Sequence, residues 1–363
     1  MGIIRLLLAI AVVVGHSGDQ NSPLVRDDFA VELFFIISGF YMALVLNGKY
    51  KPEASHPHTY RVFLESRFFR LFPMYFVALL LTLLVQTLWF APYSPLKYYY
   101  GYIPALFYWK GSHLSIASFL FLAATNLLMF GQDAVMFLGL NHAIRSFLFT
   151  PNLAATAMPA WHFLFIPQAW SLGIEATFYL IAPFIVRRST KAIVGLALLS
   201  LALRSLLRAY GLDHDPWTFR FFPTELYLFL FGALSFRVSQ LPKSKEFLRT
   251  SSGHIALFVA LLVICSRNTP LWLYPDLPKL LFVLCIPPVF ALTKRSAIDR
   301  WIGELSYPLY LIHVLVLQIL RFAGVRGNFP IILASVCAAS LLMMLVDQPL
   351  QRLRAGWLAK RLE

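Results

Sequence analysis

Apolar runs long enough to cross a bilayer, or nearly so, recur along almost the whole chain, each cut off by a cluster of charge, proline or glycine. They read as Ile3 to Ser17, Phe29 to Leu46, Leu71 to Phe90, Trp170 to Val186, Ala192 to Tyr210, Phe222 to Phe236, His254 to Ser266, Pro278 to Leu292, Leu305 to Leu320 and Pro330 to Val346. Charged residues make up 13% of the chain, about half the share usual in soluble domains, and no polar stretch is long enough to form a separate soluble domain. The expected fold is therefore all-α: a polytopic membrane helix bundle of about ten transmembrane helices, with residues 1-363 as a single domain.

The first run offers roughly 15 residues where about 20 are needed to span, so neighbours must shield it or the bilayer must thin. It could be mistaken for a signal peptide. No small-residue cleavage site follows it, and it carries His16, so it is read as a retained helix.

Orientation follows from Lys and Arg in the short connections. Asn47 to Arg70, Arg187 to Lys191, Arg237 to Arg249, Lys294 to Arg300 and the tail from Arg352 to Arg361 are basic. The alternate connections, Gly18 to Asp28, Gly211 to Phe221 and Arg267 to Leu277, are acidic or balanced. The positive-inside bias puts both termini in the cytoplasm. This requires the stretch from Ala91 to Ala169 to cross an even number of times, although it holds one clear apolar run, Leu114 to Phe130. Either that run is re-entrant, giving ten spans, or a second crossing near Ala134 to Phe149 makes twelve; ten is the preferred reading. The remainder, His142 to Ala169, carries Asn152, His162 and Gln168 among aromatics and is expected on the outer side, covering a substrate site. Trp89-Phe90 and Tyr98-Tyr99-Tyr100 fit an interfacial aromatic belt.

The net charge of +14 does not point to nucleic acid, because the cations are scattered among membrane segments rather than gathered on one soluble face. The three cysteines, Cys265, Cys285 and Cys337, lie in apolar segments without a CxxC pair, which argues against disulfides or a zinc site. No HExxH, P-loop or GxSxG occurs, so metal hydrolysis and nucleotide hydrolysis drop out and a serine hydrolase is disfavoured.

What remains polar at membrane depth sorts into two layers. Arg5 and His16 are eleven residues apart in the first run, which on a helix puts them on one face about 16 Å apart along the axis. Ionisable groups inside a span are costly and mark functional sites by default, although an end arginine can also snorkel. Arg67 and Arg70, at i and i+3 on the entry to the third span, join Arg5 near the cytoplasmic face. They can match the anionic oxygens of a phosphate through planar charged donors or simply anchor the helix. Near the outer face, His16 and Glu32 flank a short loop, and a carboxylate beside an imidazole supports general-base chemistry. Ser171, Glu175 and Tyr179 share one helix face, as do Ser306, Tyr310 and His313 with Tyr307 beside them; buried hydrogen-bond networks would use the same spacing.

Together these residues resemble the acyltransferase-3 family of bacterial membrane acyltransferases. The resemblance runs through Arg5 with His16; Glu32-Leu-Phe-Phe-Ile-Ile-Ser-Gly-Phe40; Arg67-Phe-Phe-Arg70-Leu-Phe-Pro73; Trp170-Ser-Leu-Gly-Ile-Glu175 with Phe178-Tyr179; and Ser306-Tyr-Pro-Leu-Tyr-Leu-Ile-His313. Departures are Glu32 where the family often has Asp, a shorter lead before the first Arg, and Asp347-Gln348-Pro349 where it has Glu-x-Pro. The chain is read as the stand-alone form, without the extracytoplasmic hydrolase-like domain some members append.

The resemblance implies an O-acyltransferase of the bacterial cytoplasmic (inner) membrane, moving an acyl group, acetyl first among them, from acyl-CoA to a hydroxyl of a cell-surface or secreted carbohydrate. The partners it implies are acyl-CoA (acetyl-CoA or another) as co-substrate, a carbohydrate or glycolipid acceptor and the lipid bilayer, with no permanently bound cofactor, no metal and no nucleic acid. Arg5, Arg67 and Arg70 would hold the CoA phosphates. His16 would take the acceptor proton or carry the acyl group itself, with Glu32 orienting it, and Trp170, Glu175, Tyr307 and His313 would line the cavity. A transporter or flippase for a lipid-linked glycan, and a scaffold subunit of a polysaccharide-export complex, are the readings from other classes; neither requires His16 and Glu32 beside an arginine phosphate site.

Overall fold

The computed structural model of the chain describes residues 1–19, 21–50, 59–90, 103–241, 252–267, 269 and 276–362. The expected aromatic belt at Tyr98 to Tyr100 lies outside them. The fold is mostly helical, and each of the ten apolar runs is a helix over most of its length. In chain order these are α1 Gly2–Ser17, α2 Asp27–Asn47, α3 Thr59–Val85, α4 Ala105–Gly111, α5 Ile116–Leu128, α6 Gln132–Val135, α7 Trp170–Ile185, α8 Thr190–Ala209, α9 Phe222–Ser239, α10 Ser252–Ile264, α11 Asp276–Thr293, α12 Ala297–Phe322, α13 Asn328–Leu342 and α14 Gln348–Leu362. Among the described residues six helical stretches are long and apolar enough to cross a membrane, while α1, α5 and α10 are apolar but shorter.

One expected alternative is corrected. Residues 134–149 hold no spanning helix: Leu138–Asn141 (β1) and Ser146–Phe149 (β2) pair antiparallel as a hairpin, which removes the twelve-span reading. Asn141 sets the turn, its side-chain oxygen accepting from the Ala143 and Ile144 amides at 3.0 and 3.3 Å, and Arg145 closes it in a left-handed conformation.

Three helices extend beyond their apolar runs. α3 begins at Thr59, so Arg67 and Arg70 lie in its third and fourth turns, ahead of the apolar run they lead into. α12 begins at Ala297, ahead of the expected Leu305. The last run continues through a π-turn, Met343–Asp347, into α14. Pro349 lacks the N–H that would continue the regular ladder, which accounts for the wide turn just before it.

The chain divides into two compact units whose boundaries fall inside α3, α7, α8, α9 and α12. The first comprises Met1–Leu64, Phe178–Ala202 and Glu225–Tyr310. Here α1 is enclosed, with Leu8, Ala9 and Ala11 fully buried, which supplies the shielding its short length demands. It packs on α2 and α10, and α2 in turn packs on α11. Its first turn is capped from α12: the Asp299 carboxylate accepts from the Gly2 and Ile3 amides at 2.7 and 3.0 Å, an anion at the positive end of a helix. α2 and α9 cross backbone to backbone, since a Cβ on Gly39 would overlap the Phe229 carbonyl and one on Gly232 the Ile36 carbonyl. The Phe229 ring fills this crossing, stacked on Phe35 at 4.8 Å and Phe178 at 4.3 Å between centroids. Two of the basic-loop arginines have a specific task beyond charge bias. Arg187 donates to the Tyr50 and Leu46 carbonyls after α2, and Arg237 to the Val186 and Arg188 carbonyls after α7, satisfying helix ends that lack internal partners.

The second unit comprises Glu65–Thr177, Leu203–Thr224 and Leu311–Glu363. Its buried hub is polar: the Tyr75 hydroxyl donates to the Asn126 carbonyl at 2.5 Å and accepts from Gln132 Nε2 at 2.8 Å. Asn126 clasps the 163–165 segment, donating to the Phe163 carbonyl and accepting from the Phe165 amide. The long connection expected to be functional is thus pinned by hydrogen bonds to Asn126 of α5, which Tyr75 in turn ties to α3. On it, His162 stacks on Tyr108 at 4.6 Å, and burial holds its imidazole below the ordinary range, in the neutral form at neutral pH.

Candidate active site

The nine residues singled out from sequence fall in both units, and each unit is described by itself. In the first lie Arg5, His16, Glu32 and Tyr307. α1 is one unbroken helix, so the rise between Arg5 and His16 is the expected figure of about 16 Å. The Arg5 guanidinium lies over Gly303 of α12, one turn before Tyr307, because a Cβ built on Gly303 would sit 3.8 Å from Arg5 Nη1.

At the other end of α1, Gly15 packs so closely on Asp27 that a Cβ there would overlap the aspartate side chain, which fixes the end of α1 against the start of α2. His16 folds back along its own helix, with Nδ1 3.0 Å from the Val12 carbonyl oxygen. A carbonyl can only accept, so Nδ1 carries the proton of the neutral ring and Nε2 is the basic nitrogen. Glu32 lies five residues along α2 from Asp27, about 7.5 Å of helix rise, and its carboxylate is buried. The two groups lie on helices that pack together.

The sequence reading missed a partner of Glu32. Lys279 Nζ of α11 is 2.7 Å from Glu32 Oε2, with side-chain exposures of 6% and 7%, and also lies 3.3 Å from the Tyr227 hydroxyl of α9. Lys279 is the second residue of the expected span Pro278 to Leu292, so the signal was present: a cation within an apolar run.

In the second unit lie Arg67, Arg70, Trp170, Glu175 and His313. Arg67 and Arg70 are half-buried on one side of α3, as their spacing requires, between exposed Phe68 and Phe69. Trp170 opens α7 and is 4% exposed; the Arg220 guanidinium covers its ring at 4.4 Å from the centroid, and Phe219 packs edge-on at 4.6 Å. Arg220 is held by Asp215, its Nε 2.8 and 3.0 Å from the two carboxylate oxygens. The Trp170 indole, expected to line the cavity, is therefore covered by Arg220 and Phe219 in this structure. Gln168 Nε2 donates to the Leu311 carbonyl at 2.7 Å, which ties the segment before α7 to α12 two residues ahead of His313. His313 is 1% exposed and Glu175 half-buried. Among the described residues no group of three His, Cys, Asp or Glu side chains could hold a metal.

Apolar helices of spanning length, with arginines, a histidine and a carboxylate set among them, define a multi-pass membrane protein. A family model described as an acyltransferase domain matches residues 1–346, and the chain belongs to that family, acyltransferase-3. It is a membrane acyltransferase. An Aquifex aeolicus protein described as uncharacterized is similar, 27% identical over 213 residues that cover 56% of this chain and 94% of that one. No solved structure matches.

Proposed function

We propose that this acyltransferase moves an acyl group, acetyl first among them, from acyl-CoA in the cytoplasm to a hydroxyl of a cell-surface or secreted carbohydrate at the outer side of the bacterial inner membrane. The chain would cross ten times with both termini in the cytoplasm. The observation that carries this reading is the geometry of α1, which separates a cation from a tautomer-fixed imidazole by about half a bilayer along one helix. A donor too polar to enter the membrane can be gripped by its phosphates at one end while its thioester reaches the other.

In the simplest form of the step, His16 Nε2 takes the acceptor hydroxyl proton as that oxygen attacks the thioester carbonyl. The C–S bond breaks, and the proton passes to the departing CoA sulfur. Nδ1–H, anchored on Val12, holds the ring in the tautomer this needs, and the Glu32 carboxylate offsets the charge that develops on it. The same basic nitrogen could instead receive the acyl group and pass it on, and both routes need the fixed tautomer. Arg5, Arg67 and Arg70 would bind the CoA phosphates, and Glu175, Tyr307 and His313 would line the acceptor side, with Trp170 acting through Arg220.

The donor half is tested without knowing the acceptor. CoA added to the purified protein should raise its melting temperature, by linkage, in a concentration-dependent way. Lysine at Arg67 or Arg70 keeps charge but loses the planar fork, and alanine loses both. CoA affinity should fall in the order Arg, Lys, Ala, by about tenfold or more per alanine. An equal shift in the double alanine variant would return both arginines to membrane anchoring.

A further inference from the structure

Lys279 and Glu32 form a buried ion pair inside apolar helices, and that is an unusual thing to keep. The two side chains are nearly sealed from water, and removing two ions from water costs about as much as their attraction returns. Apolar residues of similar size would hold α2 and α11 together as well or better. Stability alone therefore does not explain the pair, whereas ionisable groups within spans are retained for function.

The surroundings fix the ammonium in place. Nζ is 2.7 Å from Glu32 Oε2, donates to the Tyr227 hydroxyl at 3.3 Å and lies 5.6 Å from the centre of the Phe29 ring. Glu32, Lys279 and Tyr227 each sit within about the first two turns of their helices, and the loop end of α1 carrying His16 packs on the start of α2. On α2, Glu32 shares a stripe with Phe35, Ile36 and Gly39, the residues pressed against α9.

We infer that Lys279 is a positioning residue for acyl transfer: it holds the Glu32 carboxylate in one orientation, so that it is already in place when positive charge develops on His16. Tyr227 holds the ammonium against Glu32. This inference rests on the acyltransferase reading with His16 as the reacting imidazole.

The test compares Lys279→Met, Lys279→Arg, Glu32→Gln and the double variant Glu32→Gln/Lys279→Met, in membranes of producing cells supplied with radiolabelled acetyl-CoA and in purified form. Methionine keeps the apolar stem without the charge. Lys279→Met should lower kcat roughly a hundredfold with the acetyl-CoA KM unchanged, and Lys279→Arg should recover most of it. The double variant should melt higher than Lys279→Met, having no buried carboxylate deprived of its lysine, yet remain as inactive as Glu32→Gln. A Lys279→Met enzyme with kcat within twofold of the parent, a loss confined to KM, or an arginine variant no better than methionine would each overturn the assignment. A parent that transfers no label would remove the reaction itself, and this inference with it; an active parent with an unaffected Lys279→Met would remove this inference alone.

Discussion

His16→Ala is expected to abolish acyl transfer, by about a thousandfold or more, while the protein still folds and melts close to the parent. The two effects separate because of where the side chain sits. His16 is half-buried at the end of α1, and its Nδ1 bond to the Val12 carbonyl stays within its own helix. Losing it costs about 1 kcal/mol or less. The proposed chemistry, by contrast, would lose both its proton acceptor and its alternative acyl carrier. His16→Gln preserves the shape and one donor without basicity, so it should be equally inactive. The measurement is label transfer from acetyl-CoA alongside thermal unfolding in detergent. Turnover retained in either variant would exclude His16 as base and as carrier.

Gly39→Leu should have the largest effect on folding. The α2–α9 crossing works only because neither Gly39 nor Gly232 has a Cβ, and each would place one inside a backbone carbonyl of the other helix. Even alanine would force the helices apart by roughly 1 Å or more, unstacking Phe229 from Phe35 and costing about 3 kcal/mol. Leucine should leave little monodisperse protein. Gly195 in α8 has nothing within 4 Å of a built Cβ, so Gly195→Ala should fall within about 1 kcal/mol of the parent and serves as control. A Gly39→Ala protein that melts like the parent would show that the crossing is looser than described.

The sequence carried the helices because an apolar run of spanning length bounded by charge and turn residues leaves the backbone little else to do. It said less about their ends. Thr59 to Arg70 and Ala297 to Glu304 are helical although polar, since a helix can continue past its apolar run wherever its side chains find solvent or partners. The hairpin at 138–149 was hidden because a short apolar stretch does not reveal whether it is strand or helix, and its deciding feature, the Asn141 turn, is local.

The candidate site was legible where residues share one helix, as Arg5 and His16 do, because spacing alone puts them on a face. It was not legible where helices distant in sequence meet. Nothing in the order of residues couples Glu32 to Lys279 or Trp170 to Arg220; those pairings depend on tertiary packing. Arg187 and Arg237 read as charge bias and turn out to cap helix ends, for the same reason.

The function proposed for this membrane domain is acyl transfer to carbohydrate at the cell surface. Mass spectrometry of surface glycans tests it most directly, comparing cells that carry the chain, cells that lack it and cells carrying His16→Ala at matched protein levels. Base-labile acyl esters should be present with the parent and absent from the other two. Identical glycans in all three, or esters that persist with His16→Ala, would contradict the account.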